Sequence, residues 1–147
     1  MENKFIQDLA NGQKYELELL NHIPYKTYEQ AEGVFYDWDI KIYKKNGTKS
    51  TYEVKSDRLI NKTGNICIEY MCYNKLSGIS KSKAKYWAIF ELKDDLYTLY
   101  KIPRKILIEY IQNKKYKRVV RGGDYNASQL YLFDKNLFKD YIIFSNI

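Results

Sequence analysis

The order of helical and alternating hydrophobic patterns along the chain predicts a mixed α/β fold. A helical pattern near the N-terminus and another after Pro103 are separated by stretches in which apolar and polar residues alternate, as in half-buried strands. Glycine and proline are scarce, at 7 and 2 of 147 residues, and the chain shows no internal repeat. We therefore expect a single domain that spans residues 1–147.

The first half of the chain predicts one helix followed by three strands. Apolar residues recur near helical spacing over residues 3–23, with Pro24 as the stop and Gly12 as the expected site of a bend. Alternating segments flank Asn46-Gly47, a pair typical of tight hairpin turns, and predict two antiparallel strands, with a third strand further on. These expected strands are residues 39–43, 51–55 and 65–72.

The second half predicts another helix among further strands. The Ser- and Lys-rich residues 77–85 predict a loop with a short helix, and Asp94-Asp95 predicts a turn between two strands. Pro103 suits the first turn of a helix that ends near residue 112. The expected strands are residues 86–92 and 96–102. The tail is expected to form short strands or turns at residues 119–120, 129–133 and 137–144.

Charge and composition narrow the class of function. The chain has 25 Lys and Arg against 18 Asp and Glu, a net charge of +7, which favours a polyanion as partner. Two cysteines and a single histidine, His22, exclude a disulfide scaffold, a zinc finger and a hydrolase that needs a histidine base. No apolar run reaches the roughly 18 residues of a membrane span, and the N-terminus lacks a signal-peptide pattern, so we expect a soluble cytoplasmic protein.

A short acidic motif supplies the candidate chemistry. An acidic residue two positions before a lysine is the minimal mark of one large nuclease class, but a lysine-rich composition produces this pattern freely. Only one occurrence lies within a predicted strand and has a second acid across a hairpin. The occurrences are Glu2/Lys4, Asp39/Lys41, Glu53/Lys55 and Glu91/Lys93.

Glu53 and Lys55 are two apart in a predicted strand and leave the same face, while Asp39 begins the preceding strand. Two adjacent carboxylates that stay ionised need a cation, and Mg²⁺ or Mn²⁺ held by Asp39, Glu53 and the carbonyl of Val54 would supply it. Such an ion polarises a phosphodiester and activates a bound water. Lys55 would orient or deprotonate that water, or hold a phosphate oxygen. The alternative is an ordinary cross-strand ion pair on a solvated sheet face.

Two further acids fit the same chemistry. Glu16 interrupts the apolar stripe of the first predicted helix. Glu69 lies on the third predicted strand, on the side opposite Ile66 and Ile68, where it would be a ligand of a second metal ion or support the first. For both residues the alternative is an acid that simply faces solvent.

Several stretches of the chain resemble the PD-(D/E)xK nuclease superfamily, particularly its small phage-encoded and Holliday-junction-resolvase-like members. The motif lacks the proline that commonly precedes its first acid, and Asp37 competes with Asp39 for the role of that acid. The stretches are Gly12-x-x-x-Glu16, Tyr36-Asp37-Trp38-Asp39-Ile40, Tyr52-Glu53-Val54-Lys55-Ser56-Asp57, Thr63-Gly64-Asn65-Ile66-Cys67-Ile68-Glu69-Tyr70, Ser77-Gly78-Ile79 and Lys83-Ala84-Lys85-Tyr86-Trp87.

The resemblance implies a mixed central β-sheet flanked by helices, with a restriction-endonuclease-like core. It implies that Asp39 and Glu53 are metal ligands, that Lys55 is the catalytic lysine and that Glu16 is a helix-borne acid of the site. We expect Asp39 rather than Asp37 as the first ligand because a strand starts directly after Asp39. The resemblance also implies a homodimer, and a phage-encoded member would act in the host cytoplasm.

Two basic segments are the expected contacts for DNA. Tyr116 lies within the second segment, where an aromatic ring among cations would stack on an exposed base. The alternative is a solvated surface of the kind that any lysine-rich chain carries. The first segment holds Lys81, Lys83 and Lys85, and the second holds Lys114, Lys115, Lys117, Arg118 and Arg121.

Together, the residues and the resemblance predict an Mg²⁺- or Mn²⁺-dependent endonuclease that hydrolyses phosphodiester bonds in duplex or branched DNA, for example in a Holliday junction. One alternative is a nucleic-acid-binding module on the same fold without catalysis. A second alternative is a small basic protein that inhibits a host enzyme.

Overall fold

The computed structural model describes residues 2–33, 35 and 37–147. Within these residues, three α-helices accompany two β-sheets. The helices are α1 (Glu2–Leu19), α2 (Leu59–Thr63) and α3 (Arg104–Gln112). The strands are β1 (Thr27–Gln30), β2 (Ile40–Tyr43), β3 (Lys49–Asp57), β4 (Asn65–Cys72), β5 (Lys75–Leu76), β6 (Tyr86–Lys93), β7 (Leu96–Pro103), β8 (Arg118–Gly122), β9 (Ser128–Asp134) and β10 (Ile142–Ser145). Short 3₁₀ helices lie at Gly78–Ser80, Asp124–Asn126 and Lys135–Tyr141.

The main sheet has six strands in the order β1-β2-β3-β6-β7-β10 and is mixed. Its neighbouring strands are antiparallel, except for the parallel pair of β3 and β6. A parallel pair needs a crossover connection, and here the chain leaves β3 through α2 and β4 before it returns as β6. The second sheet is antiparallel, in the order β5-β4-β9-β8. The prediction of an α/β fold with a mixed sheet flanked by helices is therefore confirmed.

One face of the main sheet packs against α1. Alternation along β2 directs Ile40 and Ile42 to this face, where both are fully buried together with Leu19 at the end of α1. Tyr52 of β3 and Phe90 of β6 complete the same cluster. Each fully buried side chain of this size contributes roughly 1.5–3 kcal/mol of transfer free energy. This core fixes α1 across the hairpin of β2 and β3.

The opposite face of the main sheet packs against the second sheet and α3. Ile66 and Ile68 of β4 are buried against Trp87 and Ile89 of β6, and Leu107 of α3 joins this second core. The even spacing of the two isoleucines in β4 explains why the alternating pattern predicts this strand correctly. Glu53 and Lys55 also leave β3 on this side, so they lie at the margin of the second core and not on an open face.

The first helix differs from its prediction. It ends at Leu19, not near residue 23, and it continues through Gly12, where an added Cβ would meet no atom within 4 Å. The backbone N–H groups of residues 20–22 donate to the carbonyls three positions earlier. A tight turn therefore ends the helix before Pro24 is reached, and no neighbouring contact requires a bend at Gly12.

The predicted hairpin is confirmed, and so are the bounds of β4, although β4 pairs with β9 in the second sheet. The short elements β1 and α2 are not predicted from the sequence. β1 is an edge strand, and three of its four residues are exposed. It therefore lacks the alternation of apolar and polar residues by which a strand is predicted. None of the helices in the described ranges is long and apolar enough to cross a membrane.

Candidate active site

The hairpin of β2 and β3 holds the carboxylate of Asp39 against the backbone of β3. The backbone N–H of Asp39 donates to the carbonyl of Tyr52 (2.9 Å), which extends the ladder by one residue before β2 begins. The Oδ2 atom of Asp39 then accepts the backbone N–H of Val54 (2.8 Å). Because the N–H and C=O of a strand residue point to the same side, the carbonyl of Val54 points to the same edge of β3 as its N–H.

Glu53 and Lys55 form an ion pair on one face of the same strand. Lys55 Nζ lies 3.4 Å from Glu53 Oε1. In the parallel pairing with β6, Glu53 is opposite Trp87 and Lys55 is opposite Ile89, and both β6 residues are buried. The Glu53 side chain is 13% exposed, whereas that of Lys55 is 52% exposed. A pair on a solvated sheet face is therefore not an adequate description of Glu53.

The loop before β6 closes over Glu53. Ser82, which is buried, places its Oγ 3.5 Å from Glu53 Oε2 and 3.5 Å from the carbonyl of Asp37. The backbone N–H of Lys83 donates to the same carbonyl of Asp37 (2.8 Å). Asp37 thus joins the site through its main chain, while Asp39 joins through its carboxylate. This difference favours Asp39 over Asp37 as the first acid.

Helix α1 brings a third carboxyl group to the region. Glu16 Oε1 accepts the side-chain amide of Gln30 on β1 (3.3 Å). Partial burial raises the pKa of Glu16 from 4.5 to about 7, and the negative charges of Asp39 and Glu53 add to the rise while Gln30 opposes it. Glu16 therefore faces the other two acids and is not simply a solvent-facing residue.

Burial and charge also shift the pKa values of the three central groups. Burial raises the pKa of Asp39, against the opposing effects of the Val54 N–H and the Lys55 charge. Burial likewise raises the pKa of Glu53, and the charge of Asp39 adds to the rise while Lys55 opposes it. For Lys55, burial lowers the pKa, but the negative charges of Glu53, Asp39 and Glu69 outweigh burial and raise it overall. Lys55 is therefore a stable cation and a donor at neutral pH.

Glu69 joins the site through Lys55. Its Oε1 accepts the hydroxyl of Ser128 on β9 (2.5 Å), and its negative charge acts on Lys55. Glu69 and Lys55 line a cavity of about 210 Å³ between the two sheets, with Trp87 among its other walls. The structure thus places Glu69 where it supports the lysine from the second sheet.

The oxygen donors of this site suit a hydrated magnesium ion. Asp39 and Glu53 offer carboxylates and Val54 a carbonyl, and Mg²⁺ is typically held by one or two carboxylates while it keeps several waters. A cation near the two acids would also offset the burial that raises both pKa values and the charge of Asp39 that raises the pKa of Glu53. Among the described residues, no group of three or more His, Cys, Asp or Glu is placed to enclose a metal ion. The residues therefore fit Mg²⁺ or Mn²⁺ with water ligands, but not a fully protein-coordinated ion.

The first basic segment lies directly beside these acids. The backbone N–H of Lys85 donates to the hydroxyl of Thr51 on β3 (3.0 Å), two residues before Glu53. Lys81 and Lys83 are exposed in the same loop that carries Ser82. This segment therefore presents positive charge at the rim of the acidic group.

The second basic segment runs from the end of α3 into β8, the edge strand of the second sheet. Lys114, Lys115, Arg118 and Arg121 are exposed, and the ammonium group of Lys115 lies 4.6 Å from the centre of the Tyr110 ring. The fifth cation of this segment, Lys117, donates to the side chain of Asn65 (2.6 Å) and lies 3.9 Å from the carboxylate of Asp134.

The prediction that Tyr116 stacks on an exposed base stays a prediction, because the residue is partly buried and packs against the second core. Its ring packs against those of Tyr131 and Phe133, with centroid separations of 4.8 and 6.2 Å. Alternation along the chain turns Tyr116 into the second core while its charged neighbours face outwards. The cations of this segment therefore remain as its means of contacting a polyanion.

Sequence reasoning misses three residues that shape the site. Gln30 lies on the unpredicted strand β1, and Ser82 is hidden among lysines in a loop. Gly78 has a positive φ of 49°, and an added Cβ would lie 2.1 Å from the carbonyl oxygen of Glu69. The pair Ser77-Gly78 is the feature of the sequence that could have indicated this position, because glycine permits such a close approach of two backbone segments.

Comparisons of this chain with protein-family models, curated proteins and solved structures found no match. The case for its function therefore depends on the geometry of its own side chains.

Proposed function

We propose that this protein is a metal-dependent endonuclease that hydrolyses phosphodiester bonds in DNA, with a restriction-endonuclease-like core of the PD-(D/E)xK type. The observation that carries the proposal is that Glu16, Asp39 and Glu53 lie near enough to act on one another or on the cation of Lys55 electrostatically, with Lys55 in an ion pair with Glu53. Partly buried acids with raised pKa values are typical of functional sites, because an arrangement that costs stability is retained where it serves a function.

Each residue has a role in this proposal. Asp39, Glu53 and the carbonyl of Val54 would hold Mg²⁺ or Mn²⁺, and this ion would supply charge neutralisation at the phosphate and a more acidic water. Lys55, with its raised pKa, donates a hydrogen bond to a phosphate oxygen instead of removing a proton. The carboxylate of Glu16, whose pKa of about 7 lies near neutral pH, accepts the proton of the attacking water.

The basic segments would bind the DNA backbone on both sides of the acids. Exposed lysines on the loop before β6 and exposed arginines on β8 contact phosphates without reading sequence. Branched DNA such as a Holliday junction fits the family to which the motif is similar, and so does a homodimer that cuts two strands. The protein would act in the cytoplasm, and in that of the host if a phage encodes it.

A cleavage assay tests the proposal. The full chain is incubated with supercoiled plasmid and with a four-way junction, in Mg²⁺, in Mn²⁺ and in EDTA. Cleavage should require the divalent ion and should fall roughly 100-fold or more in Glu53→Gln and in Lys55→Ala, because each change removes charge stabilisation from the site. Glu109→Gln and Lys105→Ala are matched controls on the exposed surface of α3 and should cleave normally.

Cleavage that persists in EDTA, or in both site variants, would contradict metal-dependent hydrolysis at these residues. Binding of the junction without cleavage would instead support the second candidate, a non-catalytic nucleic-acid-binding module. This candidate is favoured by one observation, since among the described residues no three His, Cys, Asp or Glu side chains are placed so that they could hold a metal ion together.

A further inference from the structure

A surface of cations and aromatic rings continues the candidate site along one face of the main sheet. Because side chains alternate along a strand, Lys49 and Thr51 leave β3 on the same face as Glu53. The antiparallel register sets Lys41 of β2 opposite Thr51, and Tyr43 opposite Lys49. These side chains therefore extend from the acids towards the edge of the sheet, on the face away from α1.

The rings and cations of this surface contact one another. Lys41 Nζ lies 5.9 Å from the centre of the Trp38 ring and 5.6 Å from that of Tyr43, and Lys49 Nζ lies 5.8 Å from the Tyr43 ring. Phe35 is 44% exposed and meets Trp38 edge to face at 5.1 Å. We refer to Phe35, Trp38, Lys41, Tyr43 and Lys49 as the cation–aromatic surface.

The position of Trp38 links this surface to the chemistry. Trp38 directly precedes Asp39, whose carboxylate binds the backbone of β3. A carboxylate is also in contact with the surface, because Tyr43 Oη donates to Glu29 (3.1 Å). Lys41 and Lys49 nevertheless lie over rings, an arrangement that leaves their charge available to a polyanion in a chain of net charge +7.

We propose that the cation–aromatic surface binds unpaired nucleotides of the substrate, next to the phosphodiester that the site cleaves. Bases stack on the rings of this surface, of which Phe35 is exposed and Trp38 and Tyr43 are partly exposed, and the adjoining phosphates bind Lys41 and Lys49. In a continuous duplex the faces of the bases are occupied by neighbouring base pairs, so such rings have little to stack on. This inference rests on the proposed nuclease function for the act of cleavage, but its binding component does not.

Tryptophan fluorescence gives a direct test of the binding component. The chain has two tryptophans, and Trp87 is 1% exposed while Trp38 is partly exposed. Titration of the full chain in EDTA with oligo(dT) should quench the emission of Trp38, whereas a duplex of equal length should quench it much less. The quenching should persist in Trp87→Phe and disappear in Trp38→Phe.

Anisotropy with labelled oligo(dT) gives the affinity, including for variants in which the fluorescence is altered. Tyr43→Leu should weaken binding roughly 5- to 100-fold, the usual cost of losing one base–ring stack. The double change Lys41→Gln with Lys49→Gln should reduce the slope of log affinity against log salt by about 1.4, since each phosphate contact on a single strand contributes about 0.7. Tyr28→Leu is the matched control, because Tyr28 is 43% exposed but pairs with buried Ile42 and so lies on the other face.

Equal affinity for oligo(dT) and duplex, or unchanged oligo(dT) binding in Tyr43→Leu and in the double lysine variant, would overturn the inference. Glu53→Gln separates it from the proposed function. If Glu53→Gln and the native chain both bind oligo(dT) through this surface and neither cleaves DNA, the nuclease proposal fails while the binding surface stands.

Discussion

Replacing Glu16 by glutamine should make the stability of the metal-free protein less dependent on pH. The pKa of Glu16 is raised from 4.5 to about 7 by burial and by the charges of Asp39 and Glu53. Between these two pKa values the folded chain binds the proton more tightly than the unfolded chain. The free energy of unfolding therefore falls as the pH rises from about 4.5 to about 7, and it levels off above that range.

The size of this effect follows from the shift. A rise from 4.5 to about 7 corresponds to about 3 kcal/mol at roughly 1.4 kcal/mol per pKa unit. The Glu16 carboxyl is only partly buried, so solvent screening reduces the contribution to about 1–2 kcal/mol. Glutamine keeps the shape of the side chain and its contact with Gln30 but has no charge to repel Asp39. We therefore expect Glu16→Gln to gain about 1–2 kcal/mol relative to the native chain between pH 5 and pH 8.

Urea denaturation in EDTA measures the effect directly. The free energy of unfolding is obtained at pH 5, 6, 7 and 8 for the native chain, for Glu16→Gln and for Glu109→Gln, an exposed helical acid that serves as the control. The free energies of unfolding of the native chain and of Glu109→Gln should depend on pH in parallel. The free energy of unfolding of Glu16→Gln should fall less steeply as the pH rises. If all three curves are parallel, the charge of Glu16 does not act on the other acids, and the convergence of carboxylates on which the nuclease proposal depends is refuted.

Three further substitutions test the framework, each by urea denaturation at pH 7. Gly78→Ala would bring a methyl group against the Glu69 carbonyl oxygen, so it should cost about 1–3 kcal/mol and reduce DNA cleavage as the loop before β6 shifts. Lys135→Met leaves the buried carboxylate of Glu91 without its cation at 2.9 Å, which should cost about 3 kcal/mol. Tyr97→Phe removes the hydroxyl that hydrogen-bonds Glu18 (2.7 Å) and His22 (2.6 Å), which should cost about 1–2 kcal/mol. Changes of less than about 0.5 kcal/mol in these variants would contradict the corresponding contacts.

The sequence predicts best those features that are encoded in local spacing. Alternation reveals β2, β3 and β4, and the two-residue spacing of Glu53 and Lys55 reveals that they share a face. An acid within an apolar helical stripe is enough to single out Glu16. Each of these signals lies within about ten residues of chain, because the period of a strand or a helix is a local property.

Features that depend on contacts between distant segments are not predicted. The alternating pattern of β4 does not reveal that its partner is β9, about sixty residues later in the chain. Gln30 and Ser82 become part of the site only because β1 brings Gln30 to Glu16 and the loop before β6 brings Ser82 to Glu53. Tyr116 shows the same limitation, since its charged neighbours in sequence do not reveal that its ring packs against Tyr131 in the second core.

The parallel pair of β3 and β6 has a consequence for the order of events during folding. Glu53 is enclosed by the loop and strand that follow the crossover, so the site is incomplete until this non-local pair has closed. Contacts between distant segments form late, because closing the intervening loop costs entropy before the contacts themselves contribute favourable energy. A nascent or partly unfolded chain would already display its positive charge, yet it would lack an assembled site. The topology thus delays any hydrolytic activity until the main sheet is complete.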